Sequence, residues 1–289
     1  MTATATATVE PAPATGRAPA SRERRRPGPP PVAVATLTWT SLLSFVREPA
    51  GFAMQFLYPL FMLVIFNAVF PGDLIGEISY AEYLLPAMIT TGVMTTCLQN
   101  LAITVAGERE NGYLKRLAVL PAPQWAHVVA KCLSNTILAL LNAALLLLIA
   151  RLFLDVDLPR QARSWGLLAV VLVLMVATCT ALGLALGRVM PGSRAAAGVV
   201  TPIVVMLQFV SGIFFPLSQL PAWMVNAFSV LPVRWSAELM REALLPAEFA
   251  VAEPTGAWET GKGLAVVSAW LIGAVVAAVV LTRRDTVDR

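Results

Sequence analysis

The chain has 289 residues, a mean hydropathy of +0.73 and only 13% charged residues, which excludes a soluble domain folded round one large core and marks an integral membrane chain. The formal net charge is +4, carried by arginine, which outnumbers lysine 18 to three; with abundant Ala, Val and Pro this points to a GC-rich bacterial gene. The three cysteines, Cys97, Cys132 and Cys179, each fall inside an apolar run, which excludes paired disulfide or metal-ligand spacing and reads as small buried hydrophobes.

Residues 1–31 alternate Thr and Ala and then turn rich in Pro and Arg, ending RERRRPGPPP. Nothing in them can bury surface, so a disordered basic tail is expected. The run Arg22 to Arg26 suits anionic lipid headgroups or plain solvation; no aromatics are interleaved, so nucleic acid is not an expected partner. The first thirty residues hold no apolar h-region, and no signal peptide is expected. Residues 33–48 follow helical spacing, with Trp39, Leu42, Leu43 and Val46 on one side and Thr36, Thr40, Ser44 and Arg47 on the other. The stretch is too polar to span, so the spacing predicts an interfacial helix anchored by Trp39 and ended by Pro49.

A hydrocarbon core of about 30 Å needs roughly 20 helical residues. Runs of that order occur at Phe52–Phe70, Tyr83–Ala106, Ala126–Ala150, Trp165–Gly187, Gly198–Phe215 and Leu264–Thr282. The fold class expected is therefore an all-α membrane protein with six transmembrane helices and both termini on one side. Placing the termini, the 107–125 loop and the 188–197 loop in the cytoplasm puts 14 bases there against six on the opposite loops, which the positive-inside rule favours. Arg160 and Arg163, in a short outer loop, vote the other way. Lys131 lies near the cytoplasmic end of the third run and can snorkel.

Between the second and third runs stands GERENGYLKRLAVLPAP, residues 107–123, with Glu108, Arg109, Glu110, Lys115 and Arg116 inside ten residues. Acids come first and bases last, which suits a short helix in its own dipole; Gly112 interrupts it, and Pro121 and Pro123 stop it. Such a segment cannot enter lipid and must meet water or a partner. In the outer connection 216–263, Leu220, Met224, Ala227, Phe228 and Leu231 form an apolar stripe. A second helix is expected after Pro232, with Arg234, Glu238 and Arg241 on one side. Neither piece can cross, so both are expected to rest on or dip into the outer leaflet.

Away from the ends, the six runs hold no Asp, Glu, Lys, Arg or His except Lys131 and His127. Ion-coupled carriers usually keep ionisable groups at the midplane, so the energy source is expected outside the chain. Uncharged polar residues do gather: Thr91, Thr95 and Gln99 in one row, Thr96, Asn100 and Thr104 in another, Asn135 and Asn142 on the face of Lys131, and Gln208 with Ser211 in the fifth run. Thr91, Thr95, Gln99, Asn100, Asn135, Asn142, Gln208 and Ser211 are read either as the lining of a substrate path or as interhelical hydrogen-bond partners. Gly183-x3-Gly187 and Ala269-x3-Gly273 permit close helix packing without naming the partner helices. Gly256–Gly263 nearly spells a phosphate loop, but it lacks the final Ser or Thr and no strand precedes it. His127 has no carboxylate or cysteine near it in sequence, so no catalytic or metal-binding residue is expected.

The order E-R-E-x-G followed by R-L-x-x-x-P, together with Arg47-Glu48-Pro49 and the string SGIFFPLSQLPAWM followed by LP, resembles ABC-2 type transporter permeases of the bacterial drug-exporter branch, over residues 32–289. The resemblance implies that the 107–121 segment is a coupling helix docking on a separate ATP-binding subunit. Glu110 and Gly112 match the most regular pair of that motif, Arg116, Leu117 and Pro121 its looser tail, and Glu108, Arg109 and Lys115 lie among them. It further implies a permease dimer in the bacterial plasma membrane. ATP and magnesium would belong to the partner subunit and no cofactor to this chain, and the cargo would be an amphipathic or hydrophobic drug, antibiotic or lipid-linked compound. An ion-driven carrier and a non-transporting accessory subunit are the competing classes.

Overall fold

A computed structural model describes residues 30–70, 72–75, 78–112, 124–214 and 216–287. The basic tail up to residue 29, and Lys115, Arg116, Leu117 and Pro121 of the charged loop, lie outside the described residues. Helix α1 (Pro30–Val46) is followed by α2 (Pro49–Val69) and a short antiparallel pair, β1 (Asp73–Ile75) and β2 (Ile78–Ser79). A long spine follows: α3 (Tyr80–Val93), a π-helical segment at Met94–Asn100, and α4 (Leu101–Glu110). Helices α5 (Gln124–Phe153), α6 (Ala162–Val189), α7 (Ser193–Val210), α8 (Ala222–Phe228), α9 (Pro232–Leu244) and α10 (Thr260–Val287) complete the chain, with 3-10 turns at Leu217–Gln219 and Ala247–Ala252.

Five helices among the described residues are long and apolar enough to cross a membrane: Tyr80–Glu110, Trp125–Phe153, Ala162–Val189, Ser193–Val210 and Thr260–Thr282. Helix α2 is an apolar helix of 21 residues, of which the described stretch Gln55–Val69 is shorter than a crossing needs. The fifth expected run, 198–215, is shifted. Its helix begins at Ser193 and stops at Val210, because Gly212 turns the chain with φ +72°, a conformation that glycine adopts without strain. The carbonyl this exposes is used twice, accepting from Tyr83 Oη at 2.7 Å and from Arg241 Nη1 at 2.8 Å.

The spine is the most enclosed of the five, with α2, α5, α6, α7 and α9 packed round it. Its start is fixed by a capping box in which Ser79 accepts from the Glu82 N–H and Glu82 accepts from the Ser79 N–H. On α6, Gly183 faces the carbonyls of Cys97 and Leu98, and Gly187 faces that of Ala102, so closely that a β-carbon at either would stand 2.5 and 2.7 Å from the nearest of them. The small-residue pair therefore seats α6 against the π-helical segment and α4. Helix α1 lies along α5, with Thr38 buried and its carbonyl accepting from Ser134. Trp39 is 66% exposed, pointing away from the bundle. All three cysteines are free, and Cys97 and Cys179 are buried.

The outer connection differs from the expectation. Helix α8 is mostly exposed, but α9 is not a surface helix: it is inserted among α3, α6 and α10, and Arg234, Glu238 and Arg241 are 3%, 2% and 1% exposed. Burying charge needs pairing, and the sequence supplies it at a distance. Arg241 Nε donates to Glu253 Oε1 at 2.7 Å, Arg234 stands 3.6 Å from Glu238 and 4.1 Å over the Trp235 ring, and Glu238 accepts from the Glu259 N–H at 3.1 Å. Spacing shows the intrahelical pair but not Glu253, which arrives through the Ala247–Ala252 turn.

Removing one member of such a pair leaves a buried charge alone, at a cost of about 3–5 kcal/mol. Arg241→Ala is expected to lower thermal stability in detergent far more than Lys262→Ala, an exposed lysine paired with Glu259; equal effects would contradict the buried pairing. Burial pushes the Glu238 carboxyl above the usual carboxylate range, and the Glu253 charge adds to this against the pull of the Glu259 N–H and Arg234. Protonated Glu238 therefore favours the folded state, and that contribution fades as pH rises from about 4.5 through the raised value. Melting temperature against pH should fall less steeply over that window in Glu238→Gln than in the parent.

Candidate functional site

The charged segment 107–123 begins inside a helix. Gly107–Glu110 is the last turn of α4, not the start of a separate helix, and Asn111 caps it with Gly112 at φ +64° directly after. Three consecutive side chains, Glu108, Arg109 and Glu110, leave this last turn in three directions. A helix advances about 100° per residue, so neighbours in sequence cannot share a target.

Glu108 turns to the first two turns of α5. Its Oε1 stands 2.7 Å from Lys131 Nζ and its Oε2 3.1 Å from His127 Nε2, all three side chains being largely buried. The snorkelling expected of Lys131 is replaced by an ion pair, and His127 has a carboxylate neighbour that is 19 residues away in sequence. Arg109 turns to the C-terminus of α6, where Nη1 donates to the Arg188 carbonyl and, at 3.4 Å, to the Met190 carbonyl. These carbonyls lie at a helix end, where the chain leaves acceptors without intrahelical donors and the dipole favours a cation. Glu110 turns to the N-terminus of α7, where Oε2 accepts from the Ser193 N–H at 3.0 Å and from Ser193 Oγ at 3.1 Å.

The N-cap of α7 is Gly192, which has no side chain to satisfy the free amides. Glu110 supplies the missing acceptor from another helix, and the glycine leaves room for it: a β-carbon at Gly192 would lie 2.7 Å from the carboxylate. One turn of helix thus fastens α5, the end of α6 and the start of α7 to a single point. Sequence reasoning singled out all three residues as surface contacts and missed what they hold; the signal was a glycine N-cap directly before Ser193.

The polar rows of the spine meet other helices. Gln55 of α2 donates to Thr96 Oγ1, accepts from Asn100 Nδ2 at 2.6 Å, and offers its carbonyl to Asn142 Nδ2 at 3.1 Å. Gln99 donates to Thr201 Oγ1 at 3.2 Å, joining the spine to α7. Asn135 bonds back to the Lys131 carbonyl on its own helix. Thr91, Gln208 and Ser211 are buried, while Thr95 is half-buried. The structure brings Asn100 and Asn142 together at Gln55, a residue not singled out in sequence, and leaves Gln208 and Ser211 apart near the far end of α7. The signal for Gln55 was an amide early in a run whose other amide is Asn67.

A family model described as ABC-2 type transporter matches residues 32–245, from α1 through the end of α9. The chain belongs to the ABC-2 type transporter family. It is 26% identical over 199 residues to the putative transport permease ycf38 of Porphyra purpurea, covering 68% of each chain. It is 24% identical over 182 residues to the inner membrane transport permease YadH of Escherichia coli K12, covering 61% of this chain and 69% of that one. An ABC-2 permease of this kind is a multi-pass membrane protein, and the matched region contains the whole Glu108–Glu110 fastening.

If Glu110 completes the α7 cap, removing it costs about 1 kcal/mol. Glu110→Ala and Gly192→Ala should each lower the melting temperature, and the double variant should lose no more than the worse single one, because both remove the same contact. Additive losses would contradict the shared cap.

Proposed function

We propose that this chain is the membrane-spanning subunit of an ATP-driven exporter, with ATP and magnesium held by a separate nucleotide-binding subunit that docks on the 107–123 segment. The observation that carries the reading is the three-way fastening: the helical turn that precedes the 113–123 segment is bonded to α5, α6 and α7. Glu108, Arg109 and Glu110 then transmit the stroke, and Lys115, Arg116, Leu117 and Pro121 form the docking surface with Gly112 as the bend. In this reading α2 is the sixth crossing, both termini and the fastening lie in the cytoplasm, and two permease chains pair in a bacterial plasma membrane with α1 along the lipid surface.

Two further features support it. Ionisable side chains in the five long helices stand only near their ends among the described residues, so nothing at the midplane suggests ion coupling, and the polar groups there are amides and hydroxyls. Spans without charge at the midplane suit an amphipathic or hydrophobic cargo, a drug, antibiotic or lipid-linked compound. Because the ATPase must hold this turn differently in its two nucleotide states for ATP to move the spans, the turn has to be rigid, and its bonds make it so.

Glu110→Ala and Arg109→Ala are expected to leave membrane insertion and co-purification of the ATPase intact while lowering cargo-stimulated ATP hydrolysis and export by about tenfold, the scale of one charged hydrogen bond. Arg116→Glu is expected instead to release the ATPase. Undiminished export in both Glu110→Ala and Arg109→Ala would refute the transmitting role.

A further inference from the structure

Arg160 and Arg163 sit on the side of the bundle where the charge bias predicts few bases, and nothing in the transport reading uses them. They border a pocket of about 430 Å³ at the end remote from the Glu108–Glu110 turn, within the range of small-ligand sites. Arg160 stands on the 154–161 connection, which is held firmly, and Arg163 in the first turn of α6. Val156 is buried and its N–H bonds the Ala150 carbonyl, and Trp165 Nε1 donates to the Pro159 carbonyl at 2.8 Å. Neither arginine has an ion-pair partner among the described residues.

The pocket also carries two carboxylates on other elements, Glu82 at the start of α3 and Glu242 near the end of α9. Glu242 is half committed: Oε1 accepts from Thr260 Oγ1 at 2.6 Å, while Oε2 is buried with no partner. A buried carboxylate oxygen left unmatched is costly, and the side chain that carries it lines the pocket. Leu167 and Trp258 add apolar surface. The pocket therefore offers cationic donors, anionic acceptors and an apolar wall side by side.

We propose that this pocket binds an amphiphile whose head carries both a phosphate and a primary amine, as a phosphoethanolamine lipid does. The phosphate meets Arg160 and Arg163, whose guanidinium forks suit its oxygens; the ammonium meets Glu242 and Glu82; the glycerol and first methylenes lie on Leu167 and Trp258. Placement at the outer leaflet rests on the topology proposed above, but the recognition itself does not, since it depends only on groups of this chain.

The test is native mass spectrometry of the purified full chain in detergent, titrated with short-chain phosphatidylethanolamine and with phosphatidylglycerol of equal chain length, which has the phosphate but no amine. The proposal expects phosphatidylethanolamine to bind about tenfold more tightly, with that preference lost in Glu242→Gln, which keeps the acceptor for Thr260, and both lipids weakened in the exposed variant Arg163→Gln. Free phosphoethanolamine displacing the lipid at equal concentration marks a soluble ligand as the source; failure to displace marks the lipid. Equal binding of the two lipids to the parent, or tight selective binding retained in Glu242→Gln, overturns the proposal. No ATPase takes part, so the outcome is independent of the coupling reading.

Discussion

Helix ends are weak points of a bundle, because each leaves backbone groups without intrahelical partners. Helices α6 and α7 end and begin within a few residues of each other, and a glycine stands where a capping side chain would be. Their loose groups are satisfied from outside, by Arg109 at the carbonyls and Glu110 at the amides. Because these are adjacent residues on one turn, satisfying the two ends also locks them to the spine. Glu108 extends the lock to α5. The electrostatics and the mechanics are thus the same set of contacts.

The two ends of the bundle use charge differently. At the fastened end, charged side chains bridge separate helices from the last turn of α4. At the other end, α9 carries its charges into the interior, and Arg241 is matched by Glu253 and the Gly212 carbonyl. The second arrangement is a closed structural unit that holds the turn after α7 against α3. Between the two ends, the π-helical segment presents amide and hydroxyl groups to α2 and α7, and Gly183 keeps α6 close against it. Wide turns of this kind recur at sites of function, and here one coincides with the polar part of the longest span.

Much of this was legible in the sequence. The apolar runs marked five long helices and the apolar α2, the E-R-E-x-G order drew attention to the last turn of α4, and Pro232 announced α9. What escaped was everything that depends on residues far apart in the chain. Period and spacing cannot reveal that Glu108 finds His127 and Lys131, or that Glu110 completes a cap whose glycine lies 82 residues later. An amphipathic reading of Arg234, Glu238 and Arg241 put them on a surface because charge is normally outside; Glu253 made the opposite possible. Likewise the fifth helix was set too far along because apolar content continues past Gly212 while the backbone turns.

The proposed function requires that motion pass from a partner ATPase through the Glu108–Glu110 turn to the far ends of the spans. The most direct measurement is the distance between spin labels at the far ends of α5 and α7 in the reconstituted complex, with and without ATP, in the parent and in Arg109→Ala. The account predicts a nucleotide-dependent change in the parent that is lost in Arg109→Ala although the ATPase stays bound. An equal change in both proteins would contradict it.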